Sequence, residues 1–123
     1  MKLKEAYDEL YAYAAGFPEV NVDMPWGHPA FKIRKKKAFV FMGNFEGEEP
    51  RLTMSVKLGA DADVALSLGF CKPTGYGLGQ HGWISVTINQ GEEAPLDLLM
   101  EWIEHSYRLI APKTLVKQLD AQG

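Results

Sequence analysis

Cysteine is nearly absent from this sequence: Cys71 is the only one in 123 residues. An internal disulfide needs two cysteines and a cysteine-based zinc cage needs several, so both are excluded. No apolar run approaches the ~20 residues that span a bilayer as a helix. The N-terminal segment MKLKEAYDEL has acidic residues where a signal peptide needs an apolar stretch. These absences predict a cytoplasmic protein that does not enter a membrane.

A strong net charge is also lacking, since the formal charge is −3. The basic residues are unevenly placed, and one short stretch holds five of the 13: Lys32, Arg34, Lys35, Lys36 and Lys37. The rest of the chain is acidic, which argues against broad, non-specific binding to nucleic acid through phosphate neutralisation. It leaves room for one local basic patch.

The length and the 46% of hydrophobic residues predict one domain over residues 1–123. Apolar residues at helical spacing predict a helix over 2–15, and alternating residues predict strands near 20–22, 30–34, 37–42, 51–58 and 83–88. Asp61 is expected to cap a short helix over 62–68. Residues 71–82 are expected to form a loop without regular structure. The predicted order is α-β-β-β-β-α-β-α-α, an α+β fold with an antiparallel sheet of about five strands and helices on one face.

The basic run lies inside PWGHPAFKIRKKKAF, residues 25–39. Alternating apolar residues on both sides of it predict a hairpin with a tight turn near Lys35 and Lys36. Cations at a hairpin tip can contact a phosphate backbone, and Arg51 is a further candidate for that role. The alternative is a solvated tip whose lysines prevent edge-to-edge aggregation.

A second group of candidates surrounds two histidines. His28 and His81 each lie in a turn beside a tryptophan, Trp26 or Trp83, and no metal-ligand spacing links them. Either each imidazole ties down its own loop, or the two share a ligand pocket. Other polar side chains proposed for that pocket are in the 71–82 loop or near the last helices: Tyr76, Gln80, Tyr107 and Lys113.

Signals for catalysis are missing. No serine lies in a G-x-S-x-G elbow, and the glycines of GYGLG match no dinucleotide or Walker motif. Cys71 is adjacent to Lys72, but no base is identified for it, so a half-buried inert thiol is expected. The sequence therefore predicts a protein without enzyme activity and implies no cofactor.

Several short segments occur together in a familiar order: FPEV (17–20), PWGHPAFKI (25–33), SVKL (55–58), GQHGWISV (79–86) and SYRLIAPKTL (106–115). With them the chain resembles the MmcQ/YjbR family of small bacterial proteins. The resemblance implies an α+β fold similar to secretion chaperones and double-wing DNA-binding domains. It also implies DNA as a partner, although similarity of fold alone does not give function. The alternatives are a protein-interaction or chaperone-like adaptor, and a small-ligand pocket at His28 and His81.

Overall fold

The structure is a computed structural model that describes residues 2–25, 27–75 and 77–122. In these residues the elements, in chain order, are α1 (Leu3–Ala15), β1 (Val20–Asp23), β2 (Ala30–Ile33), β3 (Lys37–Met42), β4 (Leu52–Lys57), α2 (Ala62–Leu66), β5 (Cys71–Pro73), β6 (Trp83–Ile88), α3 (Leu96–Ile110) and α4 (Lys113–Gln122). Short 3₁₀ turns cover Gly59–Asp61 and Leu78–His81. No helix in these described residues is long and apolar enough to cross a membrane.

The strands form one antiparallel sheet in the order β1-β2-β3-β4-β6-β5. In β4 and β6 every second residue is buried, and these residues form the core side of the sheet: Leu52, Met54, Val56, Ile84, Val86 and Ile88. Buried residues from all four helices join them in a single hydrophobic cluster. The helices therefore cover one face, and the α+β class predicted from the sequence is confirmed.

The segment 71–82 differs from its prediction. It is not devoid of regular structure: Cys71–Pro73 pairs with β6 through Lys72 opposite Ser85, and Leu78–His81 forms a 3₁₀ turn. The sheet therefore has six strands in the described part of the chain. A three-residue strand is too short to show alternation, and it forms because β6 offers an unpaired edge.

The region around the second helix was also predicted incorrectly in detail. Helix α2 ends at Leu66, and a 3₁₀ turn precedes it. Asp61 makes no side-chain capping bond. Its carboxylate lies 3.3 Å from Nε2 of His105 on α3. A contact to a distant helix has thus replaced the local cap.

Candidate functional site

The basic hairpin tip is a two-residue turn centred one residue earlier than predicted. The Lys36 N–H donates to the Ile33 carbonyl at 3.0 Å, which places Arg34 and Lys35 at the central positions. Both have left-handed backbones, with φ of 54° and 60°. This is the geometry of a type I′ turn, whose twist matches the flanking strands.

Two of the five cations of the basic run are held by acids of the neighbouring strand region. Nε and Nη2 of Arg34 lie 3.2 and 3.0 Å from Oε2 of Glu19. Nζ of Lys32 lies 3.1 Å from Oδ2 of Asp23. Each acid lowers the local positive potential, so the tip offers a phosphate less charge than the sequence suggests.

The sixth predicted nucleic-acid contact, Arg51, is not close to the tip. Strand β3 starts at the tip with Lys37, and its other end pairs with the start of β4 through Met42 opposite Met54. Arg51 precedes β4 and therefore lies at the end of the sheet opposite the tip. The six predicted residues do not form one surface patch.

The two histidines are not brought together either. His28 precedes β2, at the end of the sheet away from the tip, whereas His81 precedes β6, at the tip end. Strands β3 and β4 separate β2 from β6. The described residues contain no group of three or more His, Cys, Asp or Glu side chains placed to hold a metal ion.

The remaining candidates of the predicted pocket are also dispersed. Tyr107 is buried on the helix side of the sheet, where its hydroxyl donates to the Pro18 carbonyl at 2.8 Å and burial raises its pKa. Gln80 is exposed beside His81, and Lys113 is exposed at the start of α4. Trp26 and Tyr76 lie outside the residues that the structure describes. A pocket joining His28, Gln80, His81 and Tyr107 is therefore not formed.

The structure instead presents a surface that the sequence analysis missed, on the sheet face away from the helices. We name it the helix-free face. Its residues are the non-core positions of the central and edge strands: Phe41 of β3, Thr53, Ser55 and Lys57 of β4, Trp83, Ser85 and Thr87 of β6, and Lys72 of β5. None of them belongs to the hydrophobic core cluster. Lys57, Ser55, Trp83 and Ser85 come from the SVKL and GQHGWISV segments quoted above.

A chain of hydroxyl groups crosses this face. Ser55 and Ser85 are register partners, and their Oγ atoms lie 2.8 Å apart. Oγ1 of Thr74 lies 2.9 Å from Oγ of Ser85. Three hydroxyls have three hydrogens and these two bonds use two of them, so one hydrogen is left to donate to a ligand.

Shallow concavities extend over the same face. One of about 440 Å³ includes His28, Phe41, Ser55, Lys72 and Ser85 in its lining. A second, of about 600 Å³, lies beside it and shares Lys72 and Thr87 with it. Arg51, Asn89 and the acidic Glu92 also line the second concavity. Arg51, excluded from the tip, thus joins Lys72 at the margin of the helix-free face.

Charge divides between the two layers of the fold. The described strands carry four lysines and a single acid, Asp23, which is paired with Lys32. The four helices together carry eight acids, Glu5, Asp8, Glu9, Asp63, Asp97, Glu101, Glu104 and Asp120, against four Lys or Arg residues, Lys4, Arg108, Lys113 and Lys117. The sheet layer is therefore basic and the helix layer acidic, although the chain as a whole is acidic.

The sequence does contain a signal for this surface. In RLTMSVKL and WISVTI the core positions are apolar, and the positions between them are hydroxyl or basic residues, with Trp83 as the exception. Trp83 aside, the non-core positions of these two strands are only partly exposed, and none of them holds an acid. Because the two strands pair, these positions form a polar face with a positive margin. The pairing of β4 with β6 was the missing information, because these strands are separated by a helix and another strand.

Comparison with known proteins agrees with this fold. A profile of the YjbR family matches residues 15–109. The chain is also similar to the crystal structure of a protein from Pseudomonas syringae, a Northeast Structural Genomics Consortium target, with a TM-score of 0.62 and 17% sequence identity. That match covers 83% of this chain and 96% of the other, and at this identity it shows a shared fold alone. No curated protein matches the chain. Since the family profile covers most of the sequence, the chain belongs to the YjbR family.

Proposed function

We propose that this protein binds DNA and holds it against the helix-free face. The observation that carries the proposal is the separation of charge between the basic sheet layer and the acidic helix layer. Such a field orients an approaching polyanion toward one side of the protein. A net acidic chain can therefore bind nucleic acid through one face while the other face repels it.

The side chains of the face suit a sugar–phosphate backbone. Lys57 and Lys72 supply charge, and neither is in an ion pair within the described residues. Hydroxyls are common donors to phosphate oxygens, and the chain through Ser55, Ser85 and Thr74 has one hydrogen to donate. The partly exposed ring of Phe41 lies next to Ser55 on the neighbouring strand, at one end of this row of groups, and offers a base an apolar contact.

The hairpin tip has a smaller role in this proposal. Lys35, Lys36 and Lys37 extend the basic surface at one end of the sheet. Arg34 and Lys32 stay paired with Glu19 and Asp23, because breaking these ion pairs would offset part of the binding free energy of a phosphate contact. We therefore expect the face lysines to contribute more to affinity than those two residues.

A role in binding rather than in catalysis is part of the same proposal. The one thiol of the chain, Cys71, has its pKa raised by burial to about 11, so it stays protonated at neutral pH. A protonated thiol is a poor nucleophile. Among the residues that the structure describes, no carboxylate or imidazole is hydrogen-bonded to the hydroxyls of Ser55, Ser85 and Thr74.

The test is fluorescence anisotropy with labelled single-stranded and duplex DNA at two salt concentrations. If about four phosphates are contacted, affinity should fall roughly 100-fold between 50 and 200 mM salt. The double variant Lys57→Glu/Lys72→Glu should abolish binding at low salt. The matched control is Lys2→Glu/Lys117→Glu, which makes the same charge change at exposed positions in the helix layer.

The outcomes separate the possible surfaces. Loss of binding in the face variant but not in the control supports the proposal. Equal losses in both would mean that net charge, and not the face, governs binding. DNA binding that is retained in Lys57→Glu/Lys72→Glu but lost in Lys35→Glu/Lys36→Glu/Lys37→Glu would show that the hairpin tip, and not the helix-free face, binds DNA. No binding of either DNA at low salt would overturn the proposal.

A further inference from the structure

The two edges of the sheet are not equally protected. At one edge lies β5, which has three residues, ends with Pro73 and carries Lys72. A short strand with proline and lysine discourages pairing with another chain. At the other edge lies β1, with the sequence VNVD, which has neither proline nor lysine within it.

Strand β1 also exposes apolar side chains. Val22 is 37% exposed, and Met24, which directly follows the strand, is 54% exposed. Among the described residues only Val64 and Leu109 are comparable large apolar side chains in solvent. Val22 is opposite the buried Phe31, so it points to the helix side of the sheet, just beyond the edge of the core.

The backbone groups that face outward along β1 follow from its pairing with β2. The Arg34 N–H donates to the Glu19 carbonyl at 2.9 Å, so this pair is hydrogen-bonded. Hydrogen-bonded pairs alternate in an antiparallel ladder, and therefore Asn21 and Asp23 bond to β2. The N–H and C=O groups of Val20 and Val22 point away from the sheet.

We propose that β1 pairs antiparallel with β1 of a second copy of this chain, centred on Val22. In this register Val22 faces Val22 of the other copy and Val20 faces Met24, all on the helix side. Asn21 faces Asp23, so an amide donor meets a carboxylate on the other side. Each contact between residues i and j is repeated as a contact between j and i, which is the requirement for a two-fold symmetric interface.

The neighbouring register is less favourable. Centring the pair on Asn21 would place Glu19 opposite Asp23 of the other copy, and like charges directly opposite are destabilising. Met24 limits the ladder in the Val22 register, because its N–H already donates to Oδ1 of Asp23 at 2.8 Å and its carbonyl already accepts the Gly27 N–H at 3.3 Å. A carbonyl oxygen has two lone pairs, so that of Met24 can also accept the N–H of Val20 of the other copy, whereas the carbonyl of that Val20 does not receive the Met24 N–H.

The two-fold axis of this pairing is perpendicular to the sheet. Directly opposite residues of an antiparallel pair lie on the same side of a sheet, so the helix-free faces of the two copies would be on the same side. The dimer would form a continuous sheet with two such faces. A ligand long enough to contact both would bind with the advantage of a linked second site.

Light scattering after size exclusion tests the association, with an expected mass twice the 13.7 kDa of one chain. Val22→Lys places a charge at the centre of the interface and should give a monomer. Val64→Lys, at an exposed apolar position on α2, should remain dimeric. A monomer at every concentration of the unaltered protein would overturn the proposal, as would a dimer that survives Val22→Lys with its circular dichroism unchanged.

Cross-linking tests the register independently of these masses. In a Cys71→Ser background, Val22→Cys places two thiols on a hydrogen-bonded pair with Cα atoms about 5.5 Å apart, inside the ~4.4–6.8 Å range of disulfides. Mild oxidation should therefore give a covalent dimer. Val20→Cys is the control, because its two copies would be offset by about 13 Å along the strands. Cross-linking of Val20→Cys but not Val22→Cys would overturn the register.

Discussion

The hydroxyl of Ser106 on α3 donates to the carbonyl of Phe39 on β3, 2.6 Å away. The same oxygen accepts the backbone N–H of Lys57 on β4 at 3.0 Å. The β2–β3 register is irregular near this point, and Ser106 occupies the place of a direct bond between β3 and β4. It is fully buried, so a helix side chain completes the ladder of the sheet.

We therefore expect Ser106→Ala to lower the free energy of unfolding by about 1–3 kcal/mol, because it leaves the buried carbonyl of Phe39 and the partly buried N–H of Lys57 without partners. Urea unfolding monitored by circular dichroism measures the change. Ser67→Ala is the control, since the Ser67 hydroxyl bonds to the Val64 carbonyl at an exposed position. Equal effects of the two substitutions would contradict the bridging role.

The hairpin turn gives a second prediction. Lys35 has φ of 60°, a conformation that costs most residues energy and glycine none. Lys35→Gly should raise the free energy of unfolding by about 0.5–1 kcal/mol. Lys36→Gly removes the same charge at a position without positive φ and should not stabilise the protein. Thermal and urea unfolding measure the stability of both variants. If Lys36→Gly were the more stable of the two, the turn would not be centred on Arg34 and Lys35.

The third prediction concerns Gly82. A Cβ added there would lie 2.5 Å from Cα of Gly59, and its φ is +81°. The backbones of Gly59 and Gly82 are in close contact here, so neither segment can move easily to make room for a Cβ. Gly82→Ala should lower the free energy of unfolding by more than about 2 kcal/mol. Gly69→Ala, which meets no atom within 4 Å, should have little effect, and a comparable loss there would contradict the account.

The fourth prediction concerns Cys71 and pH. Burial raises its pKa from 9.0 to about 11 in the folded chain. Between these values the unfolded chain releases the thiol proton and the folded chain retains it, so stability falls as pH rises from 9 toward 11. Urea unfolding against pH should show a shallower decline for Cys71→Ala. The burial of Tyr7, Tyr13 and Tyr107, which raises each pKa, contributes equally to both proteins.

Labelling provides a separate check on Cys71. At pH 8 the native thiol should react with a maleimide much more slowly than the thiol of the urea-unfolded chain, because the thiolate is the reactive form. Rapid labelling of the native protein would contradict the statement that burial raises the pKa of Cys71.

The local elements of this fold were accessible from sequence. Helix α1 and the strands β3, β4 and β6 have regular apolar spacing, and their observed bounds lie within a residue or two of those predicted. The spacing of apolar residues is sufficient to predict these elements, because a helix or strand that buries one face repeats its apolar residues at a fixed period. Strand β5 has no such pattern, and it exists only because β6 pairs with it.

Sequence patterns and motifs were enough to predict the fold class and the family, and they named part of the residues that could form a site. Which residues lie together became evident from the folded arrangement of the strands and helices. It paired Arg34 with Glu19 and Lys32 with Asp23, separated His28 from His81, and placed Arg51 near Lys72. Periodicity indicates which side of a strand is buried. Neighbours across a sheet depend instead on strand order and register, which are set by contacts between distant segments.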